Sequence, residues 1–130
     1  MRKIKYRAYA KEYNKIVQVD RLGLNSDGSV QEILFSYKEL GEDSNEWTDL
    51  QAGQFELLEF TGQYDKEGKE IYTGYILQFS NGNLGKVICH LRAGFDVAFS
   101  NAMPEELDHS LASRCKVVGN IYENKELLDE

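Results

Sequence analysis

The sequence predicts a mainly β fold, with antiparallel strands forming a small, partly open barrel and one or two short helices near the C-terminus. Two observations carry this. Short segments rich in β-branched and aromatic residues recur along the chain, and several alternate in polarity, as in Ile4-Lys5-Tyr6-Arg7-Ala8 and Phe95-Asp96-Val97-Ala98-Phe99. Turn signals separate them, notably Asp27-Gly28 and Asn81-Gly82-Asn83, where glycine can adopt the positive φ of tight hairpins. A chain of 130 residues with 42% apolar side chains has the size and composition of one globular domain. The single proline and the lack of a serine- or glycine-rich run leave no linker, so residues 1–130 read as one domain.

The first strand directs Ile4, Tyr6 and Ala8 inward and leaves Lys3, Lys5 and Arg7 on an outer face, where lysines discourage stray pairing. Glu12-Tyr13-Asn14-Lys15 turns the chain into Ile16-Val17-Gln18-Val19, and a second hairpin joins Leu22-Gly23-Leu24 to a strand over residues 30–35. Residues 36–49 read as polar and irregular, with Trp47 in acidic surroundings. Residues 55–60 are apolar enough for a strand, with a helix up to Thr61-Gly62 as the alternative, and residues 64–70 form an exposed turn. Residues 71–79, 86–91 and 95–99 follow as strands. Pro104-Glu105-Glu106 has the form of a helical first turn, where the missing N–H costs nothing and carboxylates favour the dipole, and it predicts a helix running to Leu111. Residues 116–122 make a last strand and residues 125–129 a short terminal helix.

No apolar stretch reaches the ~20 residues of a membrane span, and the basic N-terminus leads into no apolar block of the secretory kind. The expected location is the cytoplasm. Parity leaves a Cys89–Cys115 pair open, while a reducing cytosol predicts two semi-buried thiols. A net charge of −7 disfavours phosphate neutralisation, which drives most nucleic-acid affinity. It suits a solvated surface or a basic protein partner.

No catalytic constellation stands out. Gly62 and Gly68-Lys69 are separated by one residue too many for a phosphate loop, Glu70 replaces the hydroxyl that would hold magnesium, and a strand follows instead of a helix. Cys89 and His90 are neighbours on a strand and point to opposite faces. A pair across the sheet using Cys115 or His109 remains open, and these four residues lack the spacing of a zinc site. The 22 carboxylates fall in no DxD, HExxH or EF-hand pattern. The expectation is therefore a non-enzyme with no catalytic residues, metal or cofactor. The enzymatic alternative is an unfamiliar site around Cys89, His90 and Asp96.

Aromatic residues exceed what a minimal core needs: eight tyrosines, six phenylalanines and Trp47. Phe79, Phe95 and Phe99 read as core. Trp47, Tyr64 and Tyr72 lie in or beside polar segments and, with Asp65, are the candidate surface binding residues. A nucleic-acid site would use Arg2, Lys3, Lys5 and Arg7 with nearby aromatics.

The stretch from Leu57 through Phe60-Thr61-Gly62, the turn Asp65-Lys66-Glu67-Gly68 and Lys69-Glu70-Ile71-Tyr72-Thr73-Gly74 closely resembles the central motif of the YopX family. Arg2-Lys3-Ile4-Lys5-Tyr6-Arg7-Ala8 resembles that family's opening strand, and Val117-Val118-Gly119-Asn120-Ile121-Tyr122-Glu123-Asn124 its closing one. The chain departs from the pattern at Thr73-Gly74-Tyr75, where the family usually has an acidic residue followed by Gly-Asp. The resemblance implies a small, mainly β protein of bacteriophages and prophages, with no catalytic residue to carry over. Gly62, Gly68 and Gly74 permit turns around which Phe60, Ile71 and Tyr72 would pack, so the motif reads as a fold-defining hairpin, with a ligand site as the alternative. The expected function is that of a non-enzymatic phage accessory protein binding a host or phage protein. Nucleic-acid binding, an enzyme and a homo-oligomer that buries its sheet edges remain alternatives.

Overall fold

Antiparallel pairing runs throughout the computed structural model, which describes residues 4–89 and 94–128. Strands account for 51% of the structure and one sheet forms a half-barrel, as the sequence predicts; helix is scarce. The chain divides into two compact units, one comprising Lys5–Leu58 and the other taking in the chain from Glu59 onward.

In the first unit, β1 (Tyr6–Ala10) and β2 (Lys15–Gln18) form a hairpin in register Ala8↔Val17. It is closed by a 3-10 turn at Lys11–Tyr13 and by Asn14 in the left-handed region. The strand starts at Tyr6 instead of Ile4, whose side chain is exposed; Ala8 and Ala10 carry the buried face. Next come β3 (Arg21–Leu24), β4 (Val30–Ser36) and β5 (Trp47–Gln51), a three-stranded meander in that order. At the Asp27-Gly28 turn the Asp27 carboxylate accepts from the Ser29 N–H at 2.9 Å, and Gly28 takes a φ of 91°. Ala8, Ala10, Val17, Ile33, Phe35, Leu50 and Phe55 pack together as this unit's core. Full burial of each large side chain there contributes ~2 kcal/mol. The segment expected to be irregular holds a 3-10 turn at Tyr37–Leu40 and then β5.

The long strand β6 (Phe55–Tyr64) begins in the first unit, and its later residues pair in the second with β7 (Glu70–Tyr72). A five-stranded sheet follows: β8 (Tyr75–Phe79), β9 (Leu84–Cys89), β10 (Phe95–Phe99), β11 (Glu105–Glu106) and β12 (Cys115–Asn120), in the order β11-β10-β9-β8-β12. The single strand expected over residues 71–79 is thus broken at Thr73-Gly74. There Gly74 has a φ of 84°, its N–H donates to the Val87 carbonyl at 2.9 Å and its carbonyl accepts from the Ile121 N–H at 2.9 Å.

The predicted helix also shifts. Glu105 and Glu106 pair with Val97 and Asp96 as a strand, and α1 (His109–Ala112) starts only after Asp108. Asp108 is the better start signal because its side chain accepts from the Leu111 N–H at 2.8 Å, satisfying a donor that proline and glutamate leave open. The terminal helix is a 3-10 turn at Lys125–Leu127, with Asp129 outside the described residues.

Candidate functional site

The motif turn is built around one carboxylate. Asp65 Oδ1 accepts from the backbone N–H groups of Glu67 at 2.8 Å and Lys69 at 2.9 Å, and Oδ2 accepts from the Val117 N–H at 2.9 Å. The main chain joins in: Asp65 N–H donates to the Lys69 carbonyl, Gly68 N–H to that of Asp65, and Lys66 N–H to that of Cys115. Burial by itself would raise the Asp65 pKa. The bonds from Val117, Lys69 and Glu67, together with the Lys69 ammonium, outweigh it and hold the carboxyl below its ordinary value. Asp65 is only 5% exposed, and its oxygens are engaged in pinning the motif hairpin to β12. The expectation of a surface binding residue is corrected to that of an internal brace.

Tyr72 is corrected in the same way. It is fully buried, its ring centroid lies 5.4 Å from that of Phe60 and 5.5 Å from that of Tyr75, and its hydroxyl donates to Glu70 at 3.0 Å. Its neighbour Ile71 is fully buried as well, so this short strand is covered on both faces and leaves neither residue at the surface. Tyr64, at the end of β6, is 46% exposed, with its ring edge-on to Phe60 at 5.7 Å. The closing motif is braced similarly. The side-chain Oδ1 of the buried Asn120 accepts from the Tyr122 and Glu123 N–H groups at 3.0 and 2.8 Å, and Asn124 Oδ1 accepts from the Asn120 N–H at 3.1 Å.

Trp47 stands apart, 52% exposed at the start of β5. Glu42, Asp43, Glu46 and Asp49 are exposed along the same stretch, which contains no lysine or arginine between residues 39 and 49. A large aromatic side chain in a negative setting suits recognition of a cationic protein surface.

The second unit holds a groove of about 390 Å³ lined in part by Asn83, Lys86, Phe99, Asn101 and Leu127. Phe79 and Phe99 meet nearby with ring centroids 5.5 Å apart. Amides, one ammonium, the Ser100 hydroxyl and apolar carbons can hold a ligand, yet among the described residues no carboxylate, histidine or cysteine lines the groove to activate that hydroxyl.

Of the residues of the enzymatic alternative, the two that the structure describes, Cys89 and Asp96, do not share a face. Cys89 lies directly across from Phe95, so Asp96, next along β10, points to the opposite face. His90 lies outside the described residues. No disulfide joins Cys89, which is exposed, to Cys115, which is buried. Burial first, then the Asp65 carboxylate, pushes the Cys115 thiol up to about 11, so it stays protonated and unreactive at neutral pH. Its Sγ donates to the Ala112 carbonyl at 3.3 Å. Among the described residues no cluster of three or more His, Cys, Asp or Glu is arranged to hold a metal ion, and no helix is long and apolar enough to cross a membrane. Of the basic candidates, Arg2 and Lys3 lie outside the described residues, Lys5 is half-buried, and Arg7 Nε donates to Gln18 Oε1 at 3.1 Å.

Comparison with known proteins adds the wider context. Protein EF1440 from Enterococcus faecalis has a solved structure similar to this one at a TM-score of 0.74 and 18% identity, over 99% of this chain and 100% of that one. Protein yopX from Bacillus subtilis is similar at a TM-score of 0.63 and 18% identity, over 96% of this chain and 98% of that one. At these identities the likeness concerns the fold alone. No curated protein matches the chain. The family model described as YopX protein matches residues 5–129, a span that includes the braced hairpin and the closing motif, and the chain therefore belongs to the YopX family.

Proposed function

We propose that this chain is a non-enzymatic accessory protein of a bacteriophage or prophage, a binding module that engages a host or phage protein in the cytoplasm. The observation that carries the reading is Trp47, half-exposed on a strand whose flanking charges are all acidic. Exposed tryptophans contribute disproportionately to protein interfaces, and a net charge of −7 speeds encounter with a basic partner. The phage setting is supported by the resemblance of the central motif. Affinity capture of the tagged chain from nuclease-treated host lysate, at several salt concentrations, tests the reading. The expected result is one stoichiometric protein partner whose recovery weakens as salt rises; recovery that depends on nucleic acid, or no partner at any salt, contradicts it.

A further inference from the structure

Every open sheet has two edges, and proteins normally blunt them. In this chain β2 is blunted by Glu39, whose carboxylate accepts from the outward Gln18 N–H at 2.7 Å. On β3 the edge is only four residues long, bulged at Gly23/Leu24 and fronted by Arg21. β7 and β11 are three and two residues long. β12 is bulged and occupied by the motif turn, through Lys66 N–H to Cys115 and Val117 N–H to Asp65.

β5 is guarded only at its end, where the Gln54 side chain accepts from the outward Gln51 N–H at 2.7 Å and the Gln54 N–H donates to the Gln51 carbonyl at 2.9 Å; among the described residues no such bond covers Trp47 or Asp49. The strand is last in its sheet, it pairs with β4 without a register shift, and it carries no lysine or proline. The Tyr37 N–H donates to the Glu46 carbonyl and the Ala52 N–H to that of Gln31, so with Thr48↔Phe35 and Leu50↔Ile33 the even-numbered residues of β5 turn their backbone groups toward β4. The N–H and C=O groups of Trp47 and Asp49 therefore point away from the sheet. Both side chains are exposed on the outer face, where Asp49 and Glu32 both contact the Gln51 amide, at 2.8 and 3.1 Å.

We propose that β5 is a docking edge for an extended, basic segment of a partner protein, which adds to the three-stranded sheet as a fourth strand. The outward backbone groups supply the ladder. Asp49 and Glu32 select lysine or arginine on the outer face of the incoming strand, and Trp47 packs on their alkyl stems. A second copy of this chain is selected against, because antiparallel pairing of two β5 strands about their midpoint sets Asp49 against Asp49. The proposal rests on the protein-binding reading above and narrows it to one edge and one chemistry.

The test uses the full 15N-labelled chain and capped synthetic peptides of alternating lysine and valine, with alternating glutamate and valine as the comparison. The expected result is shifted amide resonances and slowed hydrogen exchange at Trp47 and Asp49 with the lysine peptide, and no response to the glutamate peptide. Asp49→Pro removes an outward donor and leaves the bonds to β4 in place, and it should weaken the lysine peptide about tenfold or more. Asp49→Lys, whose amide spectrum checks the fold, should weaken it similarly. No response at Trp47 and Asp49, an equal response to both peptides, or self-association that Asp49→Pro abolishes would each overturn the proposal. A lysate partner retained equally by the chain and its Asp49→Pro variant would overturn the edge and leave the protein-binding reading standing.

Discussion

Asp65 shows how one residue accounts for a motif. Its two oxygens satisfy three partly buried backbone donors of the turn and of β12, so Asp65→Ala removes the acceptor from all three. The expected loss is about 3 kcal/mol, read as a lower denaturant midpoint. Because its folded pKa is depressed, the carboxylate contributes stability fully above its unfolded value near ~4, and that contribution fades as pH falls through the folded pKa. Acid unfolding of Asp65→Asn should accordingly lack part of the pH dependence seen in the parent chain. Cys115 gives a second check. Its raised pKa and burial predict that a thiol reagent at neutral pH modifies Cys89 and spares Cys115, as mass spectrometry of labelled peptides would reveal.

At the level of elements, the hairpins were legible in the sequence because Asp27-Gly28 and Asn81-Gly82-Asn83 are local signals that need no tertiary context. The C-terminal helix was less so. Pro104-Glu105-Glu106 satisfies the rules for a helical first turn, but the same residues can lend their backbone to a neighbouring strand, and Val97 and Asp96 supply that pairing. Asp108 holds the true start, so Asp108→Ala should cost about 1 kcal/mol. Gly85 makes a separate demand on β9: a Cβ there would lie 2.3 Å from Val97 Cγ1 and 3.0 Å from Phe99 Cε1. Gly85→Ala should destabilise by roughly 1–3 kcal/mol, measured by thermal unfolding. Tyr72 was misplaced at the surface for a comparable reason. Its polar neighbour Glu70 suggests exposure, whereas its burial follows from pairing with Phe60 on β6 and from the Tyr75 ring, contacts that residue type and spacing do not show.

At the level of the whole molecule, the residues that make the family recognisable and the residues proposed to bind are different sets. Phe60, Asp65, Gly68, Tyr72 and Asn120 turn, pack and brace the second unit, so their pattern is written in residue type and spacing and is readable from the chain alone. Trp47 and the edge of β5 belong to the first unit, in a stretch that reads as irregular because strand pairing, and not periodicity, defines it. Its acidic, aromatic composition was visible; its open backbone was not, since an edge exists only once the sheet is ordered. The account therefore assigns scaffold to the motif and recognition to Trp47. The most direct test is quantitative capture from nuclease-treated host lysate with the parent chain, Trp47→Ala and Tyr64→Ala, all verified as folded. Partner recovery should collapse for Trp47→Ala and persist for Tyr64→Ala, which alters an exposed aromatic on the motif hairpin. Undiminished recovery with Trp47→Ala, or loss confined to Tyr64→Ala, would contradict the account.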